Sequence, residues 1–351
     1  MAYSSIVKPT DYFNTITYAG NGSSPRSITG VGFQPDWVWT KNRSAANSNT
    51  VGDSVRGTGK TIFTDSTSAE LTNNGYGYHS SFDADGFAVT GDTASAGGDN
   101  VNKSGNNYVS WNWLASGSTA SNSDGDITST VSANTTAGFS IVKFTANGTN
   151  NGTIGHGLGV APKVVLYKRT DSTGSWYWLY KYVDGSLDFL QLDSTAAKTD
   201  LTLGTYGFTT STTFTNLGLG NGQEIIAYCF AEKKGYSKIG RYIGNASADG
   251  PFVYTGFKPA FVLSKDADGA GENWFIHDNK RNTYNPTNTY LRPNLSNAEG
   301  TAHHYDFYSN GFKNKYAGGS LNTSGRTYIY LAFAEEPLVA NVGQSIPATA
   351  R

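Results

Sequence analysis

Along this chain, short apolar and aromatic runs are cut off every few residues by Gly, Asn, Asp, Ser or Pro. Runs such as DWVWTK (36–41), KVVLYKR (163–169) and SWYWLYKY (175–182) are rich in β-branched and aromatic residues, which suit a pleated, packed surface. The Asn-Gly and Asp-Gly pairs at 21–22, 85–86, 147–148 and 310–311 supply the positive φ angles that tight hairpin turns need. No long stretch carries the apolar rhythm of an amphipathic helix. The pattern predicts an all-β protein built from antiparallel β-sandwiches of jelly-roll type.

The runs also recur in order. Pro35 and Lys41, Pro162 and Lys168, and Pro259 and Lys265 bracket apolar strands at one fixed spacing. Upstream stand TYAGNG (17–22), KFTANG (143–148) and RYIGNA (241–246), which align Asn21, Asn147 and Asn245. Downstream come TDSTSAE (64–70), LDSTAAK (192–198) and PNLSNAE (293–299), then DGF (85–87), YGF (206–208) and NGF (310–312). Each copy closes on an aromatic strand: YVSWNWLAS (108–116), IIAYCFAEK (225–233) or YIYLAFAEE (328–336). A unit of about 100 residues is a full domain rather than a solenoid repeat. The reading is three tandem homologous domains at 11–117, 138–235 and 236–337. A Ser/Thr/Asn-rich linker occupies 118–137, with room for one strand in DITSTVS, and a tail follows at 338–351.

Composition narrows the function. Charged residues are 15% of the 351 and aromatics 13%, with 26 Lys+Arg against 27 Asp+Glu. The aromatics argue against disorder, and the absence of a basic run argues against nucleic acid as a partner. Cys229 is the only cysteine, which leaves no intrachain disulfide and reads as a small buried hydrophobe. No signal peptide and no membrane-length apolar segment is evident, so synthesis in a cytoplasm without membrane insertion is expected.

Catalytic patterns are scarce. Gly59-Lys60-Thr61 imitates the end of a phosphate loop, but Ser54 stands where the first glycine belongs and a strand follows instead of a helix. Seven Glu include no acid pair common to all copies: Glu70 and Glu299 align with Lys198, and Glu232 and Glu335 with Ser116. These acids read as exposed strand ends rather than a glycosidase dyad. The histidines share no repeat position, and neighbouring His303 and His304 should face opposite sides of a strand. DADG at 83–86 and DADGAGEN at 266–273 make calcium the strongest cofactor candidate, though they read more simply as Asp-Gly turns. No catalytic residue and no cofactor is assigned.

A ligand tuned to one copy should be met where copies diverge. The loops after the Pro-to-Lys strands, 42–52, 170–176 and 266–274, differ most. They nominate Trp176 and Trp274 as stacking rings, with Asp171, Asp268 and Asn273 as hydrogen-bonding partners for a sugar.

Long phrases throughout the chain resemble a family of tailed-bacteriophage virion proteins described as tail-fibre or concanavalin-like lectin-domain proteins. They include DYFNTITYAGNG, GVGFQPDWVWTKNR, SANTTAGFSIVKFTANGT, GHGLGVAPKVVLYKRTDSTGSW, GYSKIGRYIGN and TYIYLAFAEEP. The resemblance implies lectin-like sandwiches in a non-enzymatic structural protein. Such a protein is made in the host cytoplasm and displayed on the virion, with other virion proteins and host surface polysaccharide as partners. It also brings in a homotrimer, which no heptad pattern supports. The alternatives are a capsid decoration or head-fibre protein and, from the enzyme class, a polysaccharide depolymerase.

Overall fold

The computed structural model describes residues 4, 6–91, 99–201 and 207–337, so the tail expected at 338–351 lies outside the described residues. Apart from two one-turn helices at Pro9–Asp11 and Gly319–Asn322, the regular structure is antiparallel β-sheet, as the sequence predicts.

Three long sheets repeat one strand order. In the first, Phe13–Ala19, Asn107–Trp113, Trp37–Asn42 and Thr50–Asp53 lie side by side. In the second the same places are held by Phe139–Thr145, Glu224–Phe230, Val164–Arg169 and Trp176–Tyr180, and in the third by Ser237–Ile243, Thr327–Pro337, Phe257–Asp266 and Trp274–Asp278. The registers agree residue for residue: Trp37 faces Trp113, Val164 faces Phe230 and Phe261 faces Phe333. Pro35 and Pro162 stand just before their strands. Pro259 lies within one, where the register shifts on both sides of it and the missing N–H costs no ladder bond.

Asn21, Asn147 and Asn245 form equivalent turns, each side-chain oxygen accepting from the N–H two residues on (2.9, 3.0 and 3.0 Å). The glycine blocks agree in two copies only. Gly86 and Gly311 open strands so close to a neighbour that an added Cβ would meet Ile28 O at 2.0 Å and Val253 O at 2.1 Å. Gly207 lies outside any strand, so the second copy departs from the repeat there. Residues 118–137 are not a free linker: Ala120–Asn122 and Ser129–Asn134 extend the second long sheet at its edge.

Each long sheet packs one face against a shorter sheet. Small clusters fill the interiors: Ile28, Val38 and Phe87 in the first module, Val165, Phe214 and Cys229 in the second, and Val262, Phe307 and Phe312 in the third. Burial raises the Cys229 thiol to about 12. The other faces of all three long sheets meet in one central cluster, which holds Trp37, Trp111 and Trp113, then Trp176, Tyr228 and Phe230, then Trp274, Leu331 and Phe333. The equivalent rings of the closing strands converge there, Trp113 and Phe230 lying 5.7 and 6.2 Å from Phe333. The three modules therefore share a central core in addition to their own interior clusters.

Hydrogen bonds close the modules into a ring. The N–H of Glu70 donates to Thr170 O, that of Lys198 to Ala267 O and that of Glu299 to Arg43 O (2.9, 2.7 and 2.9 Å), all equivalent positions. A second ring runs beside it: Trp176 Nε1 to Phe63 O (2.8 Å), Trp274 Nε1 to Gln191 O (3.0 Å) and Asn49 Nδ2 to Arg292 O (3.3 Å). Two of the repeated lysines join it, Lys41 bonding Ser296 O at 2.7 Å and Lys168 bonding Thr67 O at 2.9 Å. Lys265 turns instead to Asp266 O in its own module.

Buried carboxylates complete the joints. Asp53 pairs with Arg56 at 2.5 Å and accepts from Tyr228 of the second module at 2.7 Å. Its counterpart Asp278 pairs with Arg281 at 2.6 Å and accepts from Trp111 Nε1 of the first module at 3.0 Å. Glu70 and Glu299 are not exposed strand ends: Arg56 holds Glu70, while Arg281 and Arg43 hold Glu299. Replacing Arg281, whose side chain is fully buried, with Met would leave Asp278 unpaired, and we expect a loss of about 3–5 kcal/mol in urea denaturation. Arg43→Met, which removes a partly solvated partner, should cost less than half as much. Equal losses would remove the distinction.

Candidate functional site

The nominated loops do not form the expected site. Trp176 and Trp274 are both 0% exposed, and their indole N–H groups are spent on the ring of inter-module bonds. Neither can stack on a sugar. The turn-rich approach to each strand suggested exposure, but the neighbouring module covers it. Asp171 is held by a bidentate pair with Arg169 (2.9 and 2.8 Å). Asp268 accepts from Thr327 N at 2.6 Å, and Asn273 accepts from Asn294 Nδ2 at 2.8 Å. These groups belong to two separate loops of different modules.

The DADG stretches are turns. Asp85 accepts from the N–H of Gly30 and Gly32 (3.1 and 2.7 Å), and Asp266 from Asp268 and Gly269 (3.0 and 2.8 Å) with Arg326 at 3.0 Å. One acidic triad occurs among the described residues: Asp184, Asp188 and Asp200. Lys198 places its ammonium among them, 2.9 Å from Asp184, 3.5 Å from Asp188 and in contact with Asp200. Burial first, and a hydrogen bond shared with Asp200 second, push Asp188 up to about 7. The arrangement is the Lys60–Glu70 pair of the first module (3.2 Å) with its charges exchanged.

Histidines offer no acid–base pair. His79 bonds Thr40 Oγ1 at 2.9 Å, and His277 bonds His303 O at 2.7 Å. Burial pushes the His79 and His277 imidazoles down to about 3 and that of His303 to about 4. His303 is buried and its neighbour His304 less so, as alternation along a strand requires. Lys60 of the Gly-Lys-Thr stretch bonds Glu70 and Thr72, inside a strand.

A cleft of about 400 Å³ lies in the second module, within the range of ligand sites. Its floor is the sandwich-side face of the long sheet, with buried Tyr167 and partly buried Tyr177 and Phe189 at the margin of the second module's interior cluster. The loop Thr173–Ser175 and Arg169 form one rim, and Leu217, Leu219 and Gln223 form the other. Tyr167 stacks on Tyr177 at 5.2 Å, and Phe189 meets Tyr177 edge-on at 5.4 Å.

The other modules close this place. In the first, strand Tyr78–Asp83 brings His79 onto Thr40; in the third, strand Gly300–Tyr308 brings the Tyr305 hydroxyl to Ser264 Oγ at 2.9 Å. Thr40, Tyr167 and Ser264 are equivalent, each preceding the repeated lysine. Among the described residues, no strand of the second module takes the covering position. The signal stood in the sequence: one copy carries a ring where the others carry a hydroxyl. Part of loop 170–176, Thr173–Ser175, lines the cleft, and Tyr167 and Tyr177 of its floor flank that loop in sequence.

The class thus defined is an all-β protein of antiparallel sheets, three of which share one strand order. The chain belongs to the family described as Domain of unknown function (DUF7483), whose model matches residues 8–337. One family unit therefore spans all three modules. No curated protein and no solved structure matches the chain.

Neutral burial of His79 and His277 has a pH consequence. The unfolded chain takes up protons below its ordinary value of 6.5, while the folded protein refuses them down to about 3. Stability is thus full above pH 6.5 and falls on acidification, by up to about 1.4 kcal/mol per histidine per pH unit. We expect the urea midpoint to drop between pH 7.5 and 5.0, and to drop less in His79→Gln. An identical drop in the variant would remove His79 as a cause.

Proposed function

We propose that the protein is a non-enzymatic structural component of a tailed-bacteriophage particle, displayed on its surface and binding a host surface glycan through the cleft of the second module. The carrying observation is that this cleft is floored by the packed rings of Tyr167, Tyr177 and Phe189. Aromatic faces stack on the apolar faces of sugars, and the guanidinium of Arg169, the Gln223 amide and the Thr173 hydroxyl suit the hydroxyls around them. The resemblance to phage tail-fibre and lectin-domain proteins supports the same reading. The partners on the particle are other virion proteins. Its acids support binding over hydrolysis, since Glu70, Glu232 and Glu299 are each committed to cationic partners.

Tyr177 is half-buried on the cleft floor, so Tyr177→Ser removes a ring at modest cost to the central core. We expect at least a tenfold loss of binding to purified host surface polysaccharide, an unchanged thermal midpoint and no release of reducing ends by the wild-type protein. Full binding by the variant would sink the cleft, and release of reducing ends would sink the non-enzymatic assignment.

A further inference from the structure

The outer face of the third module's short sheet carries a second feature. Its edge strand Phe252–Tyr254 turns two rings to solvent, Phe252 45% and Tyr254 53% exposed. Across the sheet, Tyr254 is in register with Gly311, and Gly311 with Tyr308. The glycine leaves a shallow step between the two tyrosines, and Phe252 leans over it, its ring tip 3.0 Å from where a Cβ would sit. Phe252 and Tyr308 meet edge-on at 6.0 Å. Beyond Tyr308, the Asn285 side chain extends the ladder through two 2.9 Å bonds to the Phe307 backbone. Two strand spacings separate Tyr254 from Tyr308, a row of roughly 10 Å.

The fold does not require these rings. The first module's equivalent positions, read from the shared register around Gly86 and Gly311, hold Ser27, Thr29 and Asp83 in place of Phe252, Tyr254 and Tyr308. The same sheet is stable with polar residues there, so exposing the rings serves something other than packing.

The charges nearby choose the partner. Lys313 lies in register between Phe252 and Asp306 and bonds Asp249, while Asp306 accepts from the Tyr308 hydroxyl at 3.3 Å. With Lys315 also 3.9 Å from Asp249, two ammonium groups balance the two carboxylates, leaving no net charge to draw a polyanion or a basic peptide. What remains is flat aromatic surface beside carboxylate acceptors and an ammonium donor, complementary to uncharged polyols with apolar ring faces. We infer that the Phe252–Tyr254–Tyr308 row is a second binding site, taking a neutral glycan chain laid across the strands. This rests on the glycan-binding reading of the cleft but uses separate residues on another module.

The test uses the full chain, with neutral bacterial surface oligosaccharides immobilised as a panel and polyuronates as the charged control. The key variant carries Phe252→Ser and Tyr254→Thr, the residues of the first module, so folding should be preserved and is checked by the thermal midpoint. We expect two binding components in the wild type, one lost at least tenfold in this variant and the other in Tyr177→Ser, with polyuronates failing at the row. If Tyr177→Ser abolishes all binding and the double variant none, the row is overturned while the cleft stands. If the double variant only abolishes self-association in light scattering, the row is an interface between copies and the inference falls. No binding of any glycan by the wild type would overturn both sites together.

Discussion

A sheet buried on both faces has no free side on which to end, and the three long sheets of this protein share that condition. Each places one face in its own sandwich and the other in the common core. Several side chains at the joint satisfy polar atoms across it, where an unpartnered buried donor or acceptor costs about 1–3 kcal/mol. The recurring positions follow from that demand. The indoles of Trp176 and Trp274 and the amide of Asn49 answer backbone carbonyls of the preceding module, and burial lowers Lys41, Lys168 and Lys265 alike to about 8.

The joints also show how far the copies can drift together. Asp53 with Arg56 and Asp278 with Arg281 are matched in the second module by Tyr180 and Val183, so acid and base disappeared as a pair. The donors that meet those acids are Tyr228 and Trp111, and the equivalent third position is Leu331, which has none to give. Removing a buried carboxylate, its counter-ion and its donor together leaves less stranded charge than removing any one of them. The exchange of Lys60–Glu70 for Asp188–Lys198 obeys the same rule, preserving attraction while reversing sign.

Strand class and repeat order were legible in the sequence because short β-rich runs and turn pairs are local signals. The shared core was less so, although a trace existed. Strands buried on one face alternate apolar and polar residues, whereas Trp37–Asn42 and Phe257–Asp266 are buried at every position. Near-continuous burial in a sandwich means a second layer outside it, and with Val164–Arg169 buried at all but its last residue, the three equivalent strands place those layers facing one another. The misreading of Trp176 and Trp274 came from judging their turns in isolation. Their true partners, Phe63 O and Gln191 O, lie in the preceding module, and no local pattern reports them.

Covalent linkage of the three modules has a consequence for where function can sit. In a symmetric assembly of identical chains every substitution appears at all equivalent places, so a new ring on a sheet face is repeated around the axis. Here each place is encoded separately. Tyr167 stands where Thr40 and Ser264 carry hydroxyls, and Phe252 and Tyr254 stand where Ser27 and Thr29 remain polar. The ring of hydrogen bonds constrains the inner faces, whose residues answer one another across modules, and leaves the outer faces independent. Divergence on an outer face is therefore the more informative mark of binding, while the residues that recur describe the joint.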